Sequence, residues 1–114
     1  MATMLLPIAT ALDITATGAV AGVRCSKTPF LGGQGHNALL INNAAVGGSG
    51  VVKIQGNPSN SATAPAANDA GWVDIVSLVA ASPLEQEIVL PNWIRANVTT
   101  VGTGTVNISL EGIQ

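Results

Sequence analysis

The sequence contains no tyrosine, a single cysteine and few charged side chains among its 114 residues. Charged residues make up 9% of the chain, whereas about 25% is typical of globular domains. Together with a hydrophobic content of 47%, this excludes ordinary disorder, which requires low hydrophobicity and high net charge. A surface with so few charges is either covered by Thr, Ser and Asn side chains or buried against partners, and the composition leaves both open.

Positive charge is scarce and dispersed along the chain. The four cations are Arg24, Lys27, Lys53 and Arg95, and the formal net charge is −2. Binding to nucleic acid requires clustered basic side chains that contact phosphates, so the sequence predicts no nucleic-acid partner. The apolar N-terminal run lacks a basic flank and is interrupted by Pro7, and we therefore expect neither a signal peptide nor a membrane anchor.

Residues that could support catalysis or metal binding are too few to form a site. Cys25 is the only cysteine, so an internal disulfide is excluded and an intracellular or assembled setting is favoured. We interpret Cys25 as a small buried hydrophobe and His36, the only histidine, as a structural residue. Because no metal-ligand set or nucleophile–base pair is present, the sequence predicts a protein that is not an enzyme, without catalytic, cofactor-binding or metal-binding residues.

Alternation of polar and apolar residues predicts β-strands in the second half of the chain. Residues 93–99 and 105–110 both alternate with a period of two, which is typical of half-buried strands. The positions expected to face the core are Ile94, Ala96, Val98, Val106, Ile108 and Leu110. Because Gly102 and Gly104 between the two strands suit a tight turn, we expect the strands to pair as an antiparallel hairpin.

Further strands are predicted at residues 38–42, 51–55, 72–79 and 85–90, and the first two of these are expected to form an earlier hairpin. Residues 57–71 form a long loop without periodicity, which is either a functional segment or tolerated slack. The pattern predicts an all-β fold, an antiparallel β-sandwich or barrel of jelly-roll type with seven to eight short strands. Residues 1–11 are expected to form an N-terminal arm or first strand, and residues 12–114 a single β-sandwich domain.

The two tryptophans are candidates for contact residues. Trp93 precedes the inward-facing Ile94 and should therefore face away from the core, whereas Trp72 opens its strand after the long loop. Both could anchor a partner or stack on sugar rings, and both could equally pack against the sheet. The sequence leaves these alternatives open.

From residue 36 onwards the order of these patterns resembles small structural proteins of tailed-phage virions, the head decoration or cement proteins. The likeness rests on the strand pair at 38–55, on Gly-Trp-Val-Asp-Ile at 71–75, on an apolar strand ending at Pro91, and on the strands at 93–99 and 104–112. It is a likeness of pattern and composition over about residues 36–114.

The resemblance implies a β-sandwich on the outer surface of a capsid, made in the host cytoplasm and assembled as a homotrimer. Such a protein bridges subunits of the major capsid protein, and an N-terminal arm reaches a neighbour. The resemblance supplies no binding residues of its own, and the candidate contact residues are Met4, Leu5 and Leu6 of the apolar N-terminal run together with Trp72 and Trp93. The alternative hypothesis is a carbohydrate-binding β-sandwich module of a tail fibre.

Overall fold

The computed structural model describes residues 5–25, 31 and 34–112. Within these residues the chain forms nine strands and no α-helix. The strands are β1 (Leu5–Asp13), β2 (Gly18–Ala19), β3 (Val23–Arg24), β4 (Asn37–Asn42), β5 (Val51–Asn57), β6 (Val73–Leu78), β7 (Glu85–Val89), β8 (Trp93–Thr100) and β9 (Thr105–Gly112). No helix among the described residues has the length and apolar character needed to cross a membrane.

The strands form two antiparallel sheets. Sheet A has the order β1-β9-β4-β7, and sheet B has the order β2-β8-β5-β6 with β3 also paired to β8. Sheets of this kind bury one face each against the other, because apolar residues alternate along their strands. The prediction of an all-β antiparallel sandwich is confirmed.

The strand pairs are nested along the chain. Strand β5 pairs with β6, β4 with β7, β2 and β3 with β8, and β1 with β9. A chain paired in this way is one long hairpin that is rolled up, so that most consecutive strands lie in opposite sheets. This is the arrangement of a jelly roll, in which β2 and β3 together take the place of one interrupted strand.

The core lies between the two sheets and contains the predicted inward-facing side chains. All six of the residues expected to face inward on β8 and β9 are at most 1% exposed: Ile94, Ala96, Val98, Val106, Ile108 and Leu110. Val52 and Ile54 of β5 and Leu40 of β4 join them. The period-two pattern therefore identified the buried face of both strands.

Both predicted hairpins are wrong. Strand β8 lies in sheet B and β9 in sheet A, while residues 38–42 form part of β4 in sheet A and residues 51–55 part of β5 in sheet B. The physical reason is that glycines which suit a tight turn also suit a connection that crosses from one sheet to the other. The two glycine-rich segments are such crossings.

These two crossings contact each other at one end of the sandwich. Gly47 and Thr103 form an isolated antiparallel bridge, and the Thr103 N–H donates to the Gly47 carbonyl at 3.2 Å. A Cβ on Gly47 would collide with the Thr103 carbonyl oxygen, and a Cβ on Gly102 would collide with the Gly47 carbonyl oxygen. Glycine is therefore required here for close backbone approach.

Residues 5–11 belong to β1, which pairs with β9 along the edge of sheet A. The pairing is irregular, with two register shifts, and Ala11 has a φ of 47°. The Ala11 N–H donates to the Asn107 side-chain carbonyl at 2.8 Å, which fixes this unusual conformation from the neighbouring strand. Irregularities of this kind, together with Pro7, make β1 a poor template for pairing with another chain.

Candidate interaction surfaces

The long connection between β5 and β6 lies over the outer face of sheet B. The Asn92 side-chain amide donates to the Pro58 carbonyl at 3.0 Å and to Asn60 Oδ1 at 2.8 Å. The Trp93 indole N–H donates to the Ser61 carbonyl at 3.3 Å. Polar groups at the end of sheet B thus bind the first part of this segment, which we call the cover loop (residues 58–72).

Trp93 faces away from the core, as its phase on the strand predicts, but it is only 6% exposed. The cover loop lies above it, and Arg24, its direct partner on β3, places its guanidinium carbon 5.8 Å from the ring centroid. A side chain in this position stabilises the contact between loop and sheet, and little of its surface is accessible to another molecule.

Trp72 ends the cover loop and is half-buried. Its indole N–H donates to the Ala66 carbonyl at 2.9 Å, and the Arg95 guanidinium carbon lies 4.2 Å from its ring centroid. That distance is within the range of a favourable cation–π contact. Trp72 therefore differs from Trp93 in retaining exposed surface.

A chain of polar side chains crosses three strands of sheet B on the same face. Arg95 Nε donates to Gln55 Oε1 at 2.9 Å, and Gln55 Nε2 donates to Asp74 Oδ1 at 2.8 Å. Lys53 Nζ binds the other carboxylate oxygen of Asp74 at 2.8 Å. The hydrogen bonds from Lys53 and Gln55 lower the pKa of Asp74 below its ordinary value, whereas burial lowers the pKa of Arg95.

An open pocket of about 330 Å³ lies between the β2–β3 segment and the cover loop. Its walls are mostly small apolar side chains, with Trp72 and Arg95 as the large ones: Ala19, Val20, Ala21, Gly22, Ala64, Pro65, Ala67, Trp72 and Arg95. Sequence reasoning could not find this pocket, because it is assembled from three separate segments of the chain.

The outer face of sheet A differs because it presents apolar side chains. Leu39 and Ile41 of β4 point outward, since Leu40 between them is buried in the core. The strand register places Leu5 of β1 and Val89 of β7 on the same face. Val89 is 61% exposed and Leu5 is 46% exposed. We call this surface the sheet A face.

The sheet A face also carries all three glutamates of the chain. Glu111 pairs with both Leu5 and Leu39, and Glu87 pairs with Leu39 on the other side. Glu85 lies opposite Ile41. The described cations Arg24, Lys53 and Arg95 lie instead on the outer face of sheet B. Among the described residues, apolar and acidic side chains therefore alternate across the sheet A face, and its charges are all negative.

The predicted N-terminal contact residues are divided by the strand geometry. Leu5 faces outward, whereas Leu6, the partner of Leu110, is half-buried and packs against the core. Met4 lies outside the described residues. The outward positions of Leu39, Ile41 and Val89 were not predicted, although the unbroken apolar run at residues 38–41 indicates a strand that is apolar on both faces.

The residues considered for chemistry are dispersed. Cys25 is fully buried and burial raises its pKa to about 12, so the thiol is not a nucleophile at neutral pH. His36 is exposed directly before β4, and its carbonyl accepts from the Leu90 N–H at 2.8 Å. In the part of the chain that the structure describes, no three His, Cys, Asp or Glu residues are grouped so that they could hold a metal ion.

The fold thus defines a jelly-roll β-sandwich with the cover loop over the outer face of sheet B and an uncovered sheet A face that carries both apolar and acidic side chains. Comparison with protein-family models, with curated proteins and with solved structures finds no match. The function is therefore inferred from the surfaces of the molecule.

Proposed function

We propose that this chain is a structural virion protein that binds the outer surface of a phage capsid and stabilises it by bridging major capsid subunits. The observation that carries the proposal is the sheet A face, on which Leu5 and Val89 are exposed and Leu39 and Ile41 are half-buried without any described segment covering them. Exposed apolar patches rimmed by polar groups are typical of protein–protein contact sites.

The jelly-roll fold supports the proposal by analogy, because this fold occurs in viral capsid domains as well as in lectins. Burial of apolar area is the work that a bridging protein performs, and the composition suits it, with 47% hydrophobic and 9% charged residues. Weak contacts suffice, since repetition over a symmetric shell supplies avidity.

The charges on the sheet A face predict what kind of capsid surface would bind it. Glu85, Glu87 and Glu111 flank the apolar side chains without a described cation beside them. A complementary capsid surface therefore has apolar side chains interspersed with basic ones. Such charges affect association and are screened by salt, so binding should weaken as ionic strength rises.

The test uses purified shells that lack this protein, mixed with the wild-type chain and sedimented together. Val89→Lys replaces an exposed apolar side chain of this face with a cation, which opposes the basic side chains of the receiving surface, so we expect the affinity for shells to fall at least about tenfold, which corresponds to about 1.4 kcal/mol. Glu87→Lys should act in the same direction and remove most of the salt dependence.

The matched control is Val73→Lys, because Val73 is 59% exposed on the edge strand β6 of sheet B, compared with 61% for Val89 on the edge strand β7 of sheet A. We expect Val73→Lys to bind shells like wild type. Equal loss in both variants, or a wild-type chain that ignores shells, would contradict the proposal. Light scattering on the free protein tests the homotrimer that the resemblance implies.

The alternative function, carbohydrate binding at exposed tryptophans, stays a prediction. Trp93 is largely covered by the protein's own loop, which leaves Trp72 as the aromatic side chain beside an accessible pocket. Titration of the protein with neutral sugars, followed by tryptophan fluorescence, tests this alternative directly.

A further inference from the structure

Arg95 carries a buried charge that has no counterion among the described residues. The residue is 6% exposed, and no carboxylate lies within ion-pair distance of it among the described residues. Its hydrogen bonds to described residues join Nε to the Gln55 side-chain carbonyl and Nη1 to the Ala67 backbone carbonyl at 2.9 Å each. Both acceptors are neutral groups.

The remaining donors of this guanidinium are therefore available. An arginine offers five N–H donors, of which the two hydrogen bonds use two, and Nη2 has no partner among the described residues. In the described part of the chain, Asn42 Oδ1 is the only side-chain N or O atom that is fully buried and has no hydrogen-bond partner. Nη2 of Arg95 therefore keeps some contact with solvent. Arg95 lines the pocket beside Trp72.

The pocket walls indicate the shape and polarity of a ligand that would lie beside Arg95. Ala21 and Gly22 form one side, Ala64 and Pro65 of the cover loop form the other, and Trp72 contributes an aromatic surface. Such walls favour a compact apolar body, and the volume of about 330 Å³ lies at the small end of ligand pockets.

We propose that this pocket binds a small organic anion, a single carboxylate on a compact apolar body, with the carboxylate paired to Arg95. Planar guanidinium groups recognise carboxylates with two parallel hydrogen bonds. The same chemistry is presented by a free small acid and by the C-terminal residue of an apolar peptide. The pocket lies on the side of sheet B, so its occupancy is separate from capsid binding through the sheet A face.

The test is an NMR titration that follows the indole N–H signals. The chain has two tryptophans, and a Trp72→Phe variant assigns which signal belongs to Trp72. Benzoate represents a free acid and N-acetylleucine represents a peptide C-terminus. Their neutral counterparts, benzamide and N-acetylleucinamide, have nearly the same shape without the charge.

We expect a saturable shift of the Trp72 indole signal with at least one acid, and at least about tenfold weaker binding of its amide. The acid that binds more tightly identifies the source of the carboxylate. Equal binding of acid and amide, or a shift that sodium chloride reproduces at equal ionic strength, would overturn the proposal. The absence of any saturable shift would do so as well.

Variants separate the pocket from the stability of the fold. Ala64→Leu fills the pocket from an exposed loop position without touching the hydrogen bonds of Arg95, and it should weaken binding at least about tenfold. Ala62→Leu is the control, because Ala62 is exposed on the same loop but does not line the pocket. Arg95→Lys should also weaken binding, and unchanged affinity in both Ala64→Leu and Arg95→Lys would contradict the assignment.

Discussion

The guanidinium carbon of Arg95 on β8 lies 4.2 Å from the ring centroid of Trp72, the residue directly before β6. The contact therefore passes over β5, which separates β8 from β6 in the sheet. The pair also holds adjacent carbonyls of the cover loop, since the Trp72 indole binds the Ala66 carbonyl and Arg95 binds the Ala67 carbonyl. One stacked pair therefore fixes both the sheet and the loop above it.

Removal of this pair should loosen the cover loop more than the core. In Arg95→Met the hydrogen bond to Ala67 and the stack on Trp72 are lost, at roughly 1 kcal/mol each. We expect exchange of the loop amides of Asp69 and Trp72, which bind Ala66 and Asp69 carbonyls, to accelerate about tenfold to thirtyfold. Hydrogen exchange measured by NMR gives this value.

The control for that experiment is Lys53→Met, which removes the half-exposed ion pair with Asp74 at the far end of the same polar chain. Exposed ion pairs contribute little to stability, so loop exchange should stay near the wild-type rate. Equal acceleration in the two variants would show that the loop depends on the whole polar chain rather than on the contact between Arg95 and Trp72.

The two tryptophans should differ in their contribution to folding. Trp93 is 6% exposed beneath the loop, and truncation of a large buried side chain costs about 3–5 kcal/mol. Trp72 retains exposed surface, so Trp72→Ala should cost clearly less than Trp93→Ala in urea unfolding followed by circular dichroism. A Trp93→Ala variant as stable as wild type would contradict the role of this side chain in packing the cover loop against the sheet.

The sequence was sufficient to predict which side chains face the core, and insufficient to predict which strands pair. Ile108 lies between the polar residues Asn107 and Ser109, and this alternation indicates the buried face of the strand whatever its partner strand is. The pairing depends instead on where the crossing segments lead. Gly102 permits a tight hairpin and a crossing equally well, and the nested pairing of the whole chain decides between them.

The candidate site was predictable to a similar extent. The phase of Trp93 on its strand predicts that it faces away from the core, but nothing local indicates that Ser61 and its neighbours lie over it. The sheet A face was signalled by the apolar run at residues 38–41. The pocket beside Arg95 was not signalled, because its walls come from segments far apart in the sequence.

Close packing of the two crossing segments gives a further prediction. A methyl group on Gly102 would collide with the Gly47 carbonyl oxygen and would lie 2.9 Å from the Gly50 Cα. Backbone atoms cannot move aside easily, so Gly102→Ala should destabilise the protein by about 1–3 kcal/mol. Ser49→Ala, at an exposed position in the same segment, should stay within about 0.5 kcal/mol of wild type. Urea unfolding of the two variants measures both values, and equal stability would show that the crossings separate without cost.

Burial of Cys25 predicts a loss of stability at alkaline pH. Burial raises the thiol pKa from its ordinary value of 9.0 to about 12, so the unfolded chain releases this proton first. Between these two values the unfolded state binds fewer protons than the folded state, and the free energy of unfolding falls as pH rises. One such group contributes a slope of at most about 1.4 kcal/mol per pH unit.

The absence of tyrosine makes this slope measurable, because no phenol titrates in the same range. Urea unfolding from pH 8 to pH 11 should show wild-type stability declining relative to Cys25→Ala, whose baseline is lower because a buried side chain is truncated. The lysines are common to both proteins, so their titration largely cancels in the difference. A constant difference across this range would show that the thiol ionises equally easily in the folded and unfolded chains, and rapid reaction of native Cys25 with a thiol reagent at pH 8 would agree with that result.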